Sequence, residues 1–382
     1  MMKQARKIKV VIAMDSMKGS LSSLEAGRAA AEGIRLARPE ARIVVKPLAD
    51  GGEGTVEALT AGLGGEFVTV PVHGPLGEAV TARYGILPDG TAVMEMAEAS
   101  GLTLVPGDRL DPWRASTYGT GEMIRDALGR GCRDFLIGIG GSATTDGGTG
   151  MLAALGYEFL DSRGQPAAPG IGELDRIDRI CAANRLPELE QCSFRIACDV
   201  SNPLLGEQGA VWVYGPQKGV REEEKPVLDA KMLHFAEKTV EYTGKDCRNT
   251  PGAGAAGGLG FAFLSYFPEA RLQPGAELVL EILGLEREIA EADFVVTGEG
   301  RLDAQTSMGK APAGIARIAK KYGKRVIAFA GQIAEDAGAC RQAGIDACFS
   351  ILPGVLSLEE AMRPETAEKN LKRTAEQVFR LL

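Results

Sequence analysis

Residues 9–27, KVVIAMDSMKGSLSSLEAG, run from an apolar segment through a polar loop into a helix signal. Lys9-Val10-Val11-Ile12-Ala13 is a short apolar run of the kind that forms a buried strand. Ser22-Ser23-Leu24-Glu25 has the S-x-x-E spacing of a capping box, so a helix is expected to open there and Pro39 to end it. Arg42-Ile43-Val44-Val45 repeats the strand signal and residues 53–63 the helix. The chain thus begins as a βαβα unit, the building block of a parallel sheet.

From Glu66 the rhythm changes. Phe67-Val68-Thr69-Val70, Ala82-Arg83-Tyr84-Gly85-Ile86 and Ala92-Val93-Met94-Glu95-Met96 are separated by Gly-Pro-Leu-Gly and Pro-Asp-Gly turn signals, which predicts an antiparallel meander. The parallel rhythm returns in Phe294-Val295-Val296, Arg325-Val326-Ile327-Ala328-Phe329 and Ala347-Cys348-Phe349-Ser350-Ile351. The expected fold is α/β. A doubly wound, flavodoxin/Rossmann-like domain is built from both termini, residues 1–66 and 288–382, and a mixed α/β domain, residues 67–287, is inserted. A chain of 382 residues exceeds what one core serves well, which favours two domains, with the active site in the cleft between them.

Composition narrows the function classes. With 43 basic and 51 acidic residues and a net charge of -8, no basic footprint for nucleic acid is expected. The seven cysteines are scattered without a C-x-x-C pair, which fits a reducing cytoplasm rather than a disulfide framework or zinc site. Asp15 interrupts the first apolar run too early for a signal segment, and no run approaches the roughly 20 apolar residues of a membrane helix. Monomer and homodimer both stay open.

Several familiar motifs fail on context. Gly252, Gly254 and Gly257 make a G-x-G-x-x-G with Glu277 downstream, but the preceding residues are polar and end in Pro251, so the strand a dinucleotide fingerprint needs is missing. Gly309-Lys310 is followed by Ala311, not Ser or Thr, which excludes a Walker loop. Ser307-Met308-Gly309-Lys310 matches S-x-x-K without its companion motifs. Only His73 and His234 are present, so acid–base chemistry falls to carboxylates or lysines.

Other loops cohere. Asp15-Ser16-Met17-Lys18-Gly19-Ser20 follows the first strand, and Ala49-Asp50-Gly51-Gly52-Glu53-Gly54-Thr55 follows the second. Thr297-Gly298-Glu299-Gly300-Arg301-Leu302-Asp303 follows the strand at 294–296. All three fall at the carboxyl edge of parallel strands, where open α/β sheets bind ligands. GIGGSATTDGGTG, residues 138–150, joins a strand to a helix; it is either an anion cradle built on free helix-start N–H groups or a turn with packing glycines. Asp199 closes the strand Phe194-Arg195-Ile196-Ala197, and Tyr214-Gly215-Pro216-Gln217-Lys218-Gly219 adds a lysine. Acids that bind Mg²⁺ or accept a hydroxyl proton, lysines for phosphate charge and glycine loops for oxygens are the parts of phosphoryl transfer.

Together and in this order, DSMKGSLSSLEA, PLADGGEGTVEAL, GIGGSATTDGGTGML, ACDVSNPLLG, GPQKG, PGAGAAGGLG and TGEGRLDAQTSMGKAP closely resemble the bacterial glycerate kinase family, from about Lys9 to about Pro353. The resemblance implies a two-domain kinase that phosphorylates D-glycerate with ATP and Mg²⁺, more readily at the 2-hydroxyl, giving 2-phosphoglycerate. It implies Asp199 as proton acceptor, with Lys18 and Lys218 as the other catalytic residues. It implies Asp15, Ser16, Asp50, Gly51, Gly52, Ser142, Asp146, Asn202 and Arg301 on the substrate. Gly140, Gly141, Gly254, Gly257, Gly298 and Lys310 would meet nucleotide or phosphate, and Glu299 and Asp303 the metal. Met14 and Met17 stand where the family pattern has proline and phenylalanine; methionine fills such space adaptably. A kinase of another small hydroxy acid and a non-catalytic phosphometabolite-binding protein are the alternatives.

Overall fold

The computed structural model describes residues 7–49, 51–307 and 311–382; Asp50 and Lys310, both expected in the site, lie outside the described residues. The strands, in chain order, are β1 (Lys9–Ile12), β2 (Arg42–Val45), β3 (Glu66–His73), β4 (Ala79–Ile86), β5 (Ala92–Glu95), β6 (Asp134–Gly138), β7 (Glu158–Leu160), β8 (Arg179–Cys181), β9 (Ser193–Ala197), β10 (Arg271–Gln273), β11 (Phe294–Leu302), β12 (Arg325–Ile333) and β13 (Ala347–Ser350). The chain divides into two compact units. One comprises the described residues of Met1–Asp50, with Glu57–Leu63 and Ala276–Leu382; the other comprises Gly51–Val56 and Gly64–Gly275. The helix Gly275–Ile282 falls before residue 288 and the helix Leu285–Ala290 spans it, yet from Ala276 onward both group with the termini.

The first unit holds a five-stranded parallel sheet in the order β13-β12-β11-β1-β2. Numbered within the unit, this is the flavodoxin order, with its switch point between β1 and β11. β1 has no exposed residue face, as its unbroken Val-Val-Ile run requires in a sheet covered on both sides. The capping box is present: Ser22 Oγ accepts from the Glu25 amide at 3.3 Å, while Glu25 Oε2 accepts from the Ser22 amide at 2.8 Å. The helix Ser23–Ala37 that it opens ends before Pro39. Met14 and Met17 are both buried in this unit's core with Phe329, Leu371 and Phe379. Each such side chain contributes roughly 1.5–3 kcal/mol by burial.

The third acid-and-glycine loop is corrected. Residues 297–302 continue β11, paired in register with β12 from Thr297↔Ala328 to Leu302↔Ile333. Gly298 sits inside the sheet because a Cβ there would stand 2.1 Å from Phe329 O and 2.7 Å from Met14 Cε. In a strand, glycine admits close backbone approach as readily as it makes a turn.

The second unit holds a six-stranded mixed sheet, β10-β9-β6-β5-β4-β3, and a small β7-β8 pair. The meander is present as antiparallel β3-β4-β5, after which β5, β6, β9 and β10 run parallel. Phe135 and Phe194 stack at 5.0 Å between ring centroids, and Phe194 packs on Phe267 at 4.6 Å, giving this sheet a shared apolar layer. The carboxyl ends of β5, β6 and β9 therefore lie side by side at Glu95, Gly138 and Ala197.

Candidate functional site

In the first unit the site residues gather at the β1/β11 switch point. Asp15 is 9% exposed; its amide donates to Gly298 O at 2.8 Å, and its Oδ1 accepts the Ser16 amide at 2.7 Å. Lys18 follows in the same loop and is exposed. Glu299 is buried, and its Oε1 accepts from Thr306 Oγ1 at 2.6 Å. Asp303 Oδ1 accepts the Thr306 amide at 3.3 Å, and the Asp303 amide donates back to Thr306 Oγ1 at 3.2 Å. Thr306 thus couples the two acids expected at the metal. Arg301 Nε stands 3.6 Å from Asp303 Oδ2 with its side chain largely exposed. Among the described residues no group of three metal-binding side chains occurs. Two coupled carboxylates suit Mg²⁺ held chiefly by substrate phosphates and water.

In the second unit, the loop after β6 answers the question raised by GIGGSATTDGGTG. The helix at its end is short, Thr149–Ala154, and the expected anion cradle at the helix start is already filled from within. Asp146 has no exposed surface. Its Oδ1 accepts from the Gly148 amide at 3.0 Å; its Oδ2 accepts from the Gly150 amide at 3.1 Å and from the Thr117 amide and hydroxyl, each at 2.8 Å. Burial pushes this carboxyl's pKa up while those donors pull it down. Asp146, expected on the substrate, thus organises the loop, with both oxygens engaged by donors of Thr117, Gly148 and Gly150. Gly150 is required because a Cβ there would lie 2.1 Å from Ser116 Oγ.

The open part of the loop is Gly140 and Gly141, both exposed, with Gly141 at φ 72. Behind them Lys218, 1% exposed, reaches Ser142 Oγ at 2.8 Å and Thr144 O at 2.5 Å. Burial lowers the Lys218 pKa to about 7, and Asp146 opposes that shift. Lys218 is a buried post beneath the loop, not a solvated lysine.

Gly254 and Gly257 serve packing. A Cβ on Gly254 would meet Pro203 O at 2.2 Å, and one on Gly257 would meet Thr144 O at 2.1 Å, so at both of these residues, expected at nucleotide or phosphate, backbone meets backbone. No strand precedes them, which disposes of the dinucleotide fingerprint. Asn202 is engaged locally: its Nδ2 donates to Gln208 O at 2.8 Å and its Oδ1 accepts from Tyr214 Oη at 2.6 Å. Asp199 lies exposed just past β9, with Oδ1 accepting the Gly275 amide at 2.9 Å. Gly51 is buried against the same Gly275, and half-buried Gly52 accepts from Thr55 Oγ1 at 2.7 Å.

Sequence reading missed Thr306, Thr117, Tyr214 and Glu95. Three are uncharged and carry no signal before the fold joins them to an acid or amide. Glu95 had one: a charge inside the otherwise apolar run 92–96.

Residues 10–382 match the sequence profile described as the glycerate kinase family. A glycerate kinase of Halalkalibacterium halodurans is 48% identical over 355 residues, 93% of each chain. A glycerate 2-kinase of Escherichia coli is 47% identical over 357 residues, again 93% of each. A crystal structure assigned as a glycerate kinase 2 from Salmonella typhimurium superposes with a TM-score of 0.90 at 43% identity, covering 98% of both chains. With a match of this extent, the chain belongs to the glycerate kinase family and is a kinase.

Proposed function

We propose that this protein transfers the γ-phosphoryl group of ATP to the 2-hydroxyl of D-glycerate, releasing ADP and 2-phosphoglycerate. The observation that carries the reading is Asp199, an exposed carboxylate anchored through one oxygen by the Gly275 amide at the end of β9. It lies one strand from the open Gly140-Gly141 backbone at the end of β6. The 2-position is favoured by the relative named a glycerate 2-kinase.

In this reading Asp199 orients the 2-hydroxyl and takes its proton late, as the bond from that oxygen to phosphorus forms and the bond from phosphorus to the ADP oxygen breaks. Backbone N–H groups at Gly140 and Gly141 meet phosphate oxygens, and Lys218 keeps that loop in position through Ser142 and Thr144. Lys18, Asp15, Ser16 and Arg301 bind anionic or hydroxyl groups of the substrates. Glu299 and Asp303 hold Mg²⁺, which when bound offsets charge on the nucleotide phosphates. That loops of both units serve one reaction rests on their joint occurrence in the family pattern. A reducing cytoplasm is proposed from the seven cysteines, all of them free; no helix among the described residues is long and apolar enough to cross a membrane.

The test is ADP release with Mg-ATP and D-glycerate, with phosphorus NMR on the product. A 2-phosphoglycerate signal supports the reading. A 3-phosphoglycerate signal would move the acceptor oxygen and the base, and the absence of glycerate-dependent release would overturn the substrate.

A further inference from the structure

Glu95 ends β5 and is 8% exposed. Its Oε1 accepts the Val56 amide at 2.9 Å in a buried bond, and the adjacent Thr55 amide, which donates to Gly52 O at 3.2 Å, also favours the charged form of this carboxyl. These amides open the helix Thr55–Leu63, so they have no partner of their own within it and carry its positive end. At the other end of this segment Gly51, at φ 90, is wedged in place. A Cβ on it would lie 2.5 Å from Gly275 Cα and 2.9 Å from Ala197 Cβ, and a Cβ on Gly138 would lie 2.5 Å from Gly51 O. Residues 51–56 thus cross the carboxyl ends of β9, β6 and β5 in turn. Packing holds one end and Glu95 the other. Gly275, against which Gly51 packs, is the residue whose amide Asp199 accepts.

The charged groups acting on Glu95 are Glu98, in the short helix Ala97–Ser100, and Glu53, within the segment itself. Both are acids. Burial and these neighbours hold its pKa up at about 7, while the two amides oppose them. A carboxyl so placed depends on its backbone donors, and a neutral acceptor of the same shape could serve them.

We propose that Glu95 is a positioning residue for phosphoryl transfer, tying the start of helix Thr55–Leu63 to the end of β5 so that Gly51 and Gly52 are held beside Gly275 and Asp199 to receive glycerate. The catalytic part of this inference rests on the glycerate reading above; the anchoring part does not.

Two readouts on the full chain test it. Amide hydrogen exchange comes first: the wild-type Val56 amide is expected to be protected like the interior amides of β6. Glu95→Ala should speed its exchange by about tenfold or more, the worth of a hydrogen bond to a charged acceptor, while β6 stays protected. Glu95→Gln, which keeps a carbonyl acceptor, should restore protection. Steady-state kinetics come second. Glu95→Ala should raise KM for D-glycerate about tenfold with KM for ATP within about twofold, and Glu95→Gln should recover most of that loss.

A wild-type Val56 amide that exchanges as fast as exposed loop amides overturns the anchor without need of any variant. Equal changes in both KM values, or no rescue by glutamine, overturn the positioning role. Absence of glycerate turnover in the wild type, with Val56 responding as expected, would sink the substrate reading and leave the anchor standing.

Discussion

Lys218 Nζ and Ser142 Oγ, 76 positions apart in the chain, meet at 2.8 Å with both residues buried. An amine at that depth holds the loop after β6 from beneath. Lys218→Met fills the same volume without the donor, so the fold should survive while kcat/KM falls about 100-fold or more, because the loop backbone loses its support. The pH dependence has a definite sign. The folded state lowers the Lys218 pKa from 10.5 to about 7, so its contribution to stability is full above 10.5 and is lost as pH falls through about 7. Lysine should therefore look worse relative to methionine at about pH 6 than at about pH 10 in urea unfolding. A pH-independent difference would show that the amine is not desolvated.

Asp199→Asn keeps an oxygen for the Gly275 amide and removes the proton acceptor. Expected is a fall in kcat of about 10²–10³ with both KM values within about threefold and an unchanged melting temperature. Wild-type turnover in this variant would remove Asp199 from the chemistry.

Asp146→Ala leaves four buried donors, from Thr117, Gly148 and Gly150, without an acceptor. Stability should drop by at least about 3 kcal/mol, measured by urea denaturation. A loss under about 1 kcal/mol would mean that the loop does not depend on its internal anion.

Glu95→Gln also carries a stability signature. The wild-type carboxyl has its pKa raised from 4.5 to about 7 in the fold, so its contribution is full below about 4.5 and is lost as pH rises through about 7. The loss amounts to about 3 kcal/mol, and glutamine should abolish it. Parallel pH profiles for the two proteins would contradict the burial of an ionisable group there.

Thr306→Val conserves shape at a fully buried site while removing the hydroxyl that serves Glu299 and Asp303. The Mg²⁺ concentration for half-maximal activity should rise about five- to tenfold, with stability lower by about 1–3 kcal/mol for the lost buried hydrogen bonds. An unaltered Mg²⁺ requirement would detach these acids from the metal.

Local chemistry explains what was legible before any coordinates. An unbroken Lys9–Ile12 run, a reciprocal Ser22–Glu25 cap, Pro39 and two turn signals act over a few residues each, and the strands and helix they forecast are present. The order of the seven motifs was likewise enough to identify the family. Tertiary structure alone decided three things. Glycines 298 and 300 read as a loop, but the carbonyl of Phe329, contributed from elsewhere in the chain, makes Gly298 a strand residue. Asp146 read as a ligand for substrate, and only the fold shows that Thr117, on a distant segment, closes over it and donates twice to its Oδ2. Glu95 read as a strand residue, and only the return of residues 51–56 across the sheet edge gives its carboxyl the Val56 amide to hold. Sequence determines the short-range preferences, because these are set by neighbouring atoms; the partner of each buried charge is set by packing between segments far apart in the chain.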